Sequence, residues 1–156
     1  MKLKIMIVNK DEIDELRNMI IKAYSMSFKD FYLQSYIDYT ISRQTKERLL
    51  AKAENGHFYV AKVDNKIVGC ACVGDFYGKK DESCLFSFAV DPNFQGQGIG
   101  RSLMHAIEKD EYYIRAKRIE CSSSIPAILF YSKIGFQHKN GKLTFEDESF
   151  IMEKFI

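Results

Sequence analysis

The stretch AVDPNFQGQGIGRSLMHAIEKDE, Ala89 to Glu111, joins an apolar segment typical of a strand to a segment with a helical pattern. Three alternating glycines, Gly96, Gly98 and Gly100, lie at the junction. Glycine inside a helix costs about 1 kcal/mol relative to alanine, so these positions need a physical reason. The first backbone N–H groups of a helix lack partners within the helix and carry partial positive charge. Glycines at this point predict a cradle in which an anion approaches the backbone closely.

Two familiar phosphate-binding loops do not match this stretch. A P-loop requires the run G-x-x-x-x-G-K-[ST], which the chain lacks. A dinucleotide-binding loop requires G-x-G-x-x-G, but the sixth position counted from Gly96 is Arg101. A plain turn from strand to helix is the alternative, although one or two glycines are enough for a turn. The expected cradle consists of backbone donors and one charged side chain, contributed by Gln95, Gly96, Gln97, Gly98, Ile99, Gly100 and Arg101.

Length and composition predict one globular domain covering residues 1–156, because a chain of this length is about the size of a single domain. The net charge of +2 is too small to indicate a nucleic-acid partner. No apolar run approaches the roughly 20 residues that a membrane span needs, and the N-terminus alternates in polarity. We therefore expect a cytoplasmic protein with no membrane or nucleic-acid partner. The cysteines lack the spacing of a metal site and are predicted to be buried thiols: Cys70, Cys72, Cys84 and Cys121.

Hydrophobic periodicity predicts the element order β, α, α, β, β, β, α, β, α, β, β. This order is typical of an α+β fold, or mixed α/β fold, in which helices cover a mostly antiparallel sheet. The segments on which it rests are an alternating strand at Leu3–Ile7, a helical stripe from Ile13 to Ala23, a second helical region from Phe28 to about Lys52, a hairpin turning at Asp64-Asn65, an apolar strand at Cys84–Val90, a helix at about Gly98–Lys109, a helix ended by Gly135, and a closing hairpin.

Two segments resemble the GNAT superfamily of N-acetyltransferases. VDPNFQGQGIGRSL is similar to the acyl-CoA loop of that family, whose signature [QR]-x-x-G-x-[GA] falls on Gln95, Gly98 and Gly100. SSSIPAILFYSKIGF, Ser122 to Phe136, resembles the second cofactor segment, in which a helix carries a tyrosine shortly before Gly-Phe. The resemblance implies a three-layer sandwich with a central, twisted, mostly antiparallel sheet of about six or seven strands and helices on both faces.

The resemblance also implies acetyl-CoA as the co-substrate, with no metal. The pyrophosphate is then expected on the amides of residues 95–101, beside the hydroxyl of Ser102. The pantetheine arm is expected to run along Phe88, Ala89 and Val90, where a bulge often frees an amide for the thioester oxygen. Many family members have asparagine seven residues before the tyrosine, whereas this chain has Ser124, which changes the expected contact to the arm.

Tyr131 is the predicted general acid. A phenol normally titrates near 10, above a thiol, so it holds its proton until the sulfur departs. The resemblance places the corresponding tyrosine at the sulfur. The alternative is that Tyr131, like Phe130, only packs its helix against the sheet.

The general base is less well defined. Glu82 is the candidate because it lies just before the central strand, with Asp81 and Asp75 as neighbours in the loop. Solvated carboxylates are the alternative, since charged residues in loops are usually exposed. A water held by Ser87 or Ser122 is a second route for the proton. We expect no role for the three histidines, His57, His105 and His138.

The aromatic region YSMSFKDFYLQSYIDYT, residues 24–40, is the candidate for acceptor recognition, because aromatic and acidic side chains suit a cationic amine. A helical stripe that packs on the sheet is the alternative. The predicted reaction is transfer of an acetyl group from acetyl-CoA to a primary amine of a small molecule or peptide. A non-catalytic acyl-CoA sensor or interaction module remains the alternative function. The closing strand SFIMEKFI leaves an edge on which a homodimer is conceivable.

Overall fold

The computed structural model describes residues 2–156 and contains one sheet with helices on both sides. The strands are β1 Leu3–Ile7, β2 Gly56–Val63, β3 Lys66–Phe76, β4 Lys79–Val90, β5 Arg118–Ser123, β6 Gln137–His138, β7 Phe145–Glu146 and β8 Ser149–Phe155. The helices are α1 Ile13–Ser27, α2 Gln34–Ser42, α3 Lys46–Asn55, α4 Ile99–Glu108, α5 Glu111–Ile114 and α6 Ile128–Lys133.

The sheet has the strand order β1-β2-β3-β4-β5-β8-β6, and β7 pairs with β8. Every pair of neighbours is antiparallel except β4 and β5, which are parallel. This confirms the predicted mixed fold with a mostly antiparallel sheet. The sheet has eight strands rather than six or seven because the two-residue strands β6 and β7 both pair with β8.

Two hydrophobic cores lie on opposite faces of the sheet, which explains the three layers. On one face, α1 and α3 bury Leu16 and Leu49 against Phe58 of β2. On the other face, α4 buries Leu103 against β4 and β5, which contribute Leu85 and Ile119. Each fully buried leucine of this kind stabilises the fold by about 2 kcal/mol relative to its exposed state. Within residues 2–156, no helix combines the length and the apolar character needed to cross a membrane.

The second predicted helical region is two helices, α2 and α3, and not one. Residues 28–33 form turns, and Leu33 is extended immediately before α2. A new helix then begins after Thr45, whose Oγ1 accepts a hydrogen bond from the backbone N–H of Arg48 at 3.2 Å. The aromatic periodicity of this region runs through the first break and ends at Tyr39, before the second, so it revealed neither.

The turns predicted from local residue chemistry are present. Asp64 and Asn65 adopt left-handed backbone with φ of 51° and 65°, and they connect β2 to β3. Gly135 has a φ of 101° and follows α6 directly, as a glycine at a helix end commonly does. All four cysteines are free thiols, and three of them are buried.

A gap opens in the middle of the sheet between β4 and β5. The two strands pair only where Glu82–Leu85 faces Arg118–Cys121. Beyond this point, β4 continues to Val90 in contact with β3, whereas β5 ends at Ser123 and the chain turns toward α6. The backbone of residues 86–90 therefore lacks a strand neighbour on its β5 side.

Candidate active site

A cavity of about 560 Å³ occupies the gap between β4 and β5. Its walls come from both layers of helices: Gly96 and residues 98–101 at the start of α4 and Tyr131 of α6 on one face, and Tyr24 and Phe28 on the α1 side. Residues 88–90 of β4 form the wall between them. The cavity thus connects the two faces of the sheet, so two molecules are able to meet in it from opposite sides.

In the glycine loop, two of the three glycines adopt a backbone conformation that favours glycine. Gly96 and Gly98 have φ of 77° and 81°, in the left-handed region that favours glycine, and no atom lies within 4 Å of where their Cβ would be. Gly98 is the N-cap of α4, and the first helical bond joins the N–H of Ser102 to its carbonyl at 3.0 Å. The amides of residues 99–101 precede that bond and are available to an anion.

Gly100 is also constrained by side-chain packing. A Cβ at this position would lie 2.8 Å from Cε1 of Phe130. Helix α6 therefore packs its aromatic ring directly on the first turn of α4, and only glycine leaves enough room. The missing Cβ of Gly100 thus makes room for the ring of Phe130, while the backbone N–H of Gly100 is among the free amides at the start of α4.

An ion pair that the sequence analysis missed ties the loop to α1. The buried carboxylate of Asp91 accepts from the backbone N–H of Asn93 at 2.9 Å and from Nζ of Lys22 at 3.1 Å. Gln95 donates from its side-chain amide to the carbonyl of Val90 at 3.3 Å. The turn sequence Asp-Pro-Asn signals the contact to Asn93. Nothing in the local sequence identifies Lys22, which lies 69 residues earlier in the chain.

Tyr131 lies at the centre of the cavity wall and is 5% exposed. Its ring packs edge-on against Phe88 and Phe136, with centroids 6.0 and 5.6 Å away. Burial raises the pKa of Tyr131 well above its ordinary value, because the phenolate would lose its hydration. The side chain therefore keeps its proton at neutral pH, as a general acid must before it acts.

Most of the predicted site residues meet at this cavity. Glu82, Gln97 and Ser102 lie outside its lining. The residues that line it are Phe88, Ala89, Val90, Gln95, Gly96, Gly98, Ile99, Gly100, Arg101, Ser124 and Tyr131.

Glu82 is held away from the cavity by two cations. Its carboxylate accepts from Nζ of Lys79 at 3.2 Å and from Nη1 of Arg118 at 2.9 Å. The hydrogen bond from Lys79, followed by that from Arg118, lowers the pKa of Glu82 below its ordinary value. A general base in the cavity needs access to the amine and a raised pKa, and Glu82 has neither. Asp75, the carboxylate considered beside Glu82, is likewise paired, with Arg115.

The histidines also lie outside the cavity lining. Nδ1 of His57 contacts the buried carboxylate of Asp110 at 2.6 Å. His105 is exposed beside Glu108 of its own helix. His138 packs edge-on against a phenylalanine of β8. Among residues 2–156, no group of three or more His, Cys, Asp or Glu side chains is arranged to hold a metal ion.

The aromatic region of residues 24–40 divides between the site and its support. Tyr24, Phe28 and Phe31 line the α1 end of the cavity, and the first two rings stack with centroids 4.9 Å apart. Tyr32 and Tyr36 instead point to the turn between β7 and β8, where their hydroxyls donate to backbone carbonyls at 2.8 and 3.3 Å. The packing alternative raised from the sequence thus applies to only part of the region.

Comparison with known proteins finds a family model that matches this chain. The family model described as "Acetyltransferase (GNAT) domain" matches residues 54–138. An uncharacterized N-acetyltransferase of Methanocaldococcus jannaschii is 33% identical over 141 residues, which cover 85% of this chain and 59% of that protein. The chain therefore spans less than two thirds of that relative's length.

Two further matches bear on the acceptor and on the fold. The spermine/spermidine N(1)-acetyltransferase of Bacillus subtilis is 30% identical over 118 residues, covering 67% of this chain and 76% of that enzyme. The crystal structure of the PaiA N-acetyltransferase of Thermoplasma acidophilum, in complex with coenzyme A, has a TM-score of 0.85 and covers both chains fully at 20% identity. At that identity the structural match shows the fold alone.

Proposed function

Because the chain belongs to the GNAT family of acetyltransferases, as its sequence resemblance predicted, we propose that it transfers an acetyl group from acetyl-CoA to a primary amine of a small molecule. The observation that carries this proposal is the cavity through the sheet, which has unpaired helix amides at one end and aromatic rings at the other. A binding module for an acyl-CoA alone would not need a lining contributed by both helical layers.

The α4 end of the cavity suits coenzyme A. The free amides of residues 99–101, together with Arg101, would bind the pyrophosphate of coenzyme A, whose charge suits the N-terminus of α4. The unpaired edge of residues 88–90 would receive the pantetheine arm as an additional strand. Acetyl-CoA would supply the thioester, and the protein would hold it in position.

The reaction then follows from the groups around the thioester. The neutral amine attacks the thioester carbonyl, forms the C–N bond and gives an oxyanion, which a backbone N–H of residues 88–90 would stabilise by about 3 kcal/mol. The C–S bond breaks, and Tyr131 would give its proton to the departing thiolate. As the adduct collapses, its nitrogen loses a proton, which would restore the Tyr131 phenol through solvent. Before attack, the ammonium form of the amine loses a first proton to solvent. An alkylamine with a pKa of about 10.4 is mostly charged at neutral pH, so this loss precedes attack.

We propose an alkylamine of the polyamine type as the acceptor. Tyr24, Phe28 and Phe31 present ring faces and edges that suit a cationic chain. A second cavity of about 400 Å³ lies between the β3–β4 and β7–β8 hairpins, and its lining includes Glu146 and Asp147. The Bacillus subtilis relative, named for spermine and spermidine, supports this acceptor class.

A panel assay of thiol release tests the proposal. With acetyl-CoA, we expect turnover with spermine and spermidine at least about tenfold faster than with a peptide that has a free N-terminal alanine. Saturating coenzyme A should also raise the melting temperature, since a ligand that binds the folded state stabilises it. Stabilisation by coenzyme A without thiol release over the whole panel would instead favour a sensor. Absence of both effects would contradict the proposed function.

A further inference from the structure

The regular geometry of β4 breaks at Ser87. Its φ of 53° lies in the left-handed region, which serine rarely adopts. Two residues of β4, Ser87 and Phe88, stand opposite the single residue Ala71 of β3. The register of the strand pair shifts between Cys70 and Cys72 at this point. This is a β-bulge with a strained residue, directly beside the cavity wall.

Two contacts from outside the cavity hold the bulge. Nζ of Lys52, on α3, donates to Oγ of Ser87 at 2.7 Å. Sγ of Cys70 donates to the backbone carbonyl of Ser87 at 3.1 Å. The side chain and the carbonyl of the strained residue are therefore both fixed, which limits rotation of the peptide that leads into Phe88.

Lys52 occupies an unusual environment for a lysine. Burial lowers its pKa, because the ammonium loses hydration. Within residues 2–156, Lys52 is not among the lysines that form ion pairs. Its Nζ lies 5.6 Å from the centroid of the Phe86 ring. A hydroxyl compensates a half-buried amine less well than a carboxylate does. A side chain kept at such a cost is better explained by what it holds than by its own contribution to stability.

We infer that Lys52 is a positioning residue for acyl transfer, which acts through Ser87 to fix the bulge that directs the backbone of Phe88 toward the thioester. Lys52 lies outside the lining of the cavity, whereas Phe88 and Ala89 belong to it. The inference rests on the proposed function, because the bulge matters to catalysis only if a thioester lies beside it.

Three variants separate this role from a general effect on folding. Lys52→Met removes the donor, Lys52→Arg retains one, and Lys46→Met changes an exposed lysine of the same helix, which pairs with Asp14 at 3.6 Å. We expect Lys52→Met to lower kcat about tenfold or more while KM for acetyl-CoA stays within about twofold. Lys52→Arg should recover most of the loss, and Lys46→Met should match the unmodified protein. An unchanged kcat in Lys52→Met would overturn the inference.

A double-mutant cycle tests whether Lys52 acts through Ser87. Glycine adopts left-handed backbone without help, so Ser87→Gly should keep the bulge when the lysine is absent. In that background, Lys52→Met should lower kcat by less than about threefold. Equal losses in both backgrounds would show that Lys52 does not work through this residue, and would overturn the inference.

A readout without turnover keeps the inference separate from the proposed function. In the free protein, Lys52→Met should shift the amide resonances of Phe88 and Ala89, and Lys46→Met should not. Unchanged resonances would overturn the inference even if the enzyme is active. If no amine is acetylated, the proposed function fails, yet these resonances still decide whether Lys52 holds the bulge. Should Lys52→Met not fold, Ser87→Ala removes the acceptor oxygen instead and carries the same measurements.

Discussion

The two ends of the cavity are built in different ways. The end at α4 is formed mainly by the backbone of one short loop within residues 95–101, which follows β4 directly, with α6 packed beside it. The end at α1 is formed by side chains of residues 23–31, and contacts with distant segments help to set their positions, since Tyr32, whose ring packs against Phe28, is tied to the β7–β8 turn 116 residues away. A short loop is readable as a motif, whereas side chains positioned with the help of distant segments depend on how those segments pack. The first end is therefore far better defined by sequence than the second.

The strongest test of this contrast is at the α4 end. Gly98→Val should weaken coenzyme A binding about 100-fold, because a β-branched residue does not tolerate a φ of 81° and would displace the first amides of α4. Calorimetric titration with coenzyme A measures the change. Gly141→Val is the matched control, since Gly141 also has a positive φ, 70°, and open space around its Cβ, but lies away from the cavity. Equal weakening in both variants would contradict the role of the loop.

Packing at Gly100 gives the next largest effect. Gly100→Ala places a methyl group against Phe130 and should lower the free energy of unfolding by about 2 kcal/mol through overpacking. Denaturant unfolding measures this loss. Adding Phe130→Leu should restore most of the stability and the coenzyme A affinity, because the obstruction is a side chain. If affinity stays low once stability is regained, Gly100 serves the ligand after all.

Tyr131→Phe tests the chemistry at the junction of the two ends. We expect thiol release to slow at least about tenfold, or about 1.4 kcal/mol in barrier terms, with coenzyme A affinity within about twofold. Steady-state kinetics and calorimetry on the same preparation separate the two quantities. Turnover equal to that of the unmodified protein would leave Tyr131 with packing alone.

Substitution at the α1 end should give the smallest effect on binding. Tyr24→Leu is expected to raise KM for spermine about fivefold, since one aromatic face contributes about 1 kcal/mol to a bound cation. Tyr39→Leu serves as the control, because Tyr39 is 55% exposed and lies outside the cavity lining. Affinity for coenzyme A should be unchanged in both. A larger effect on coenzyme A than on spermine would assign Tyr24 to the donor instead.

The predictions from sequence succeeded where the cause was local. The strand and helix on either side of the glycine loop, the turn at Asp64-Asn65 and the end of α6 at Gly135 follow from residue chemistry within a few positions. The prediction of one domain over residues 1–156 and that of a homodimer stay predictions. The break between α2 and α3 was missed, although the local cap at Thr45 marks it, because the aromatic pattern ends at Tyr39 and gives no signal there.

Site residues that depend on distant partners escaped the sequence. Glu82 was chosen for its place before the central strand, but Arg118, which holds it, lies 36 residues later and reaches it only through the β4–β5 pairing. No sequence feature of α3 marks Lys52, since the role proposed for it depends on its contact with Ser87 of β4. The packing constraint at Gly100 was missed, because the ring of Phe130 is not adjacent in sequence.

The passage between β4 and β5 has a kinetic consequence. If the thioester carrier and the amine enter from opposite faces, neither has to leave before the other arrives, and the acetyl group moves in a single ternary complex. Released coenzyme A would then compete with acetyl-CoA for the same entrance but leave the amine's entrance open. Inhibition by this product should thus be competitive toward the donor and non-competitive toward the acceptor, with no acetylated enzyme formed at any stage.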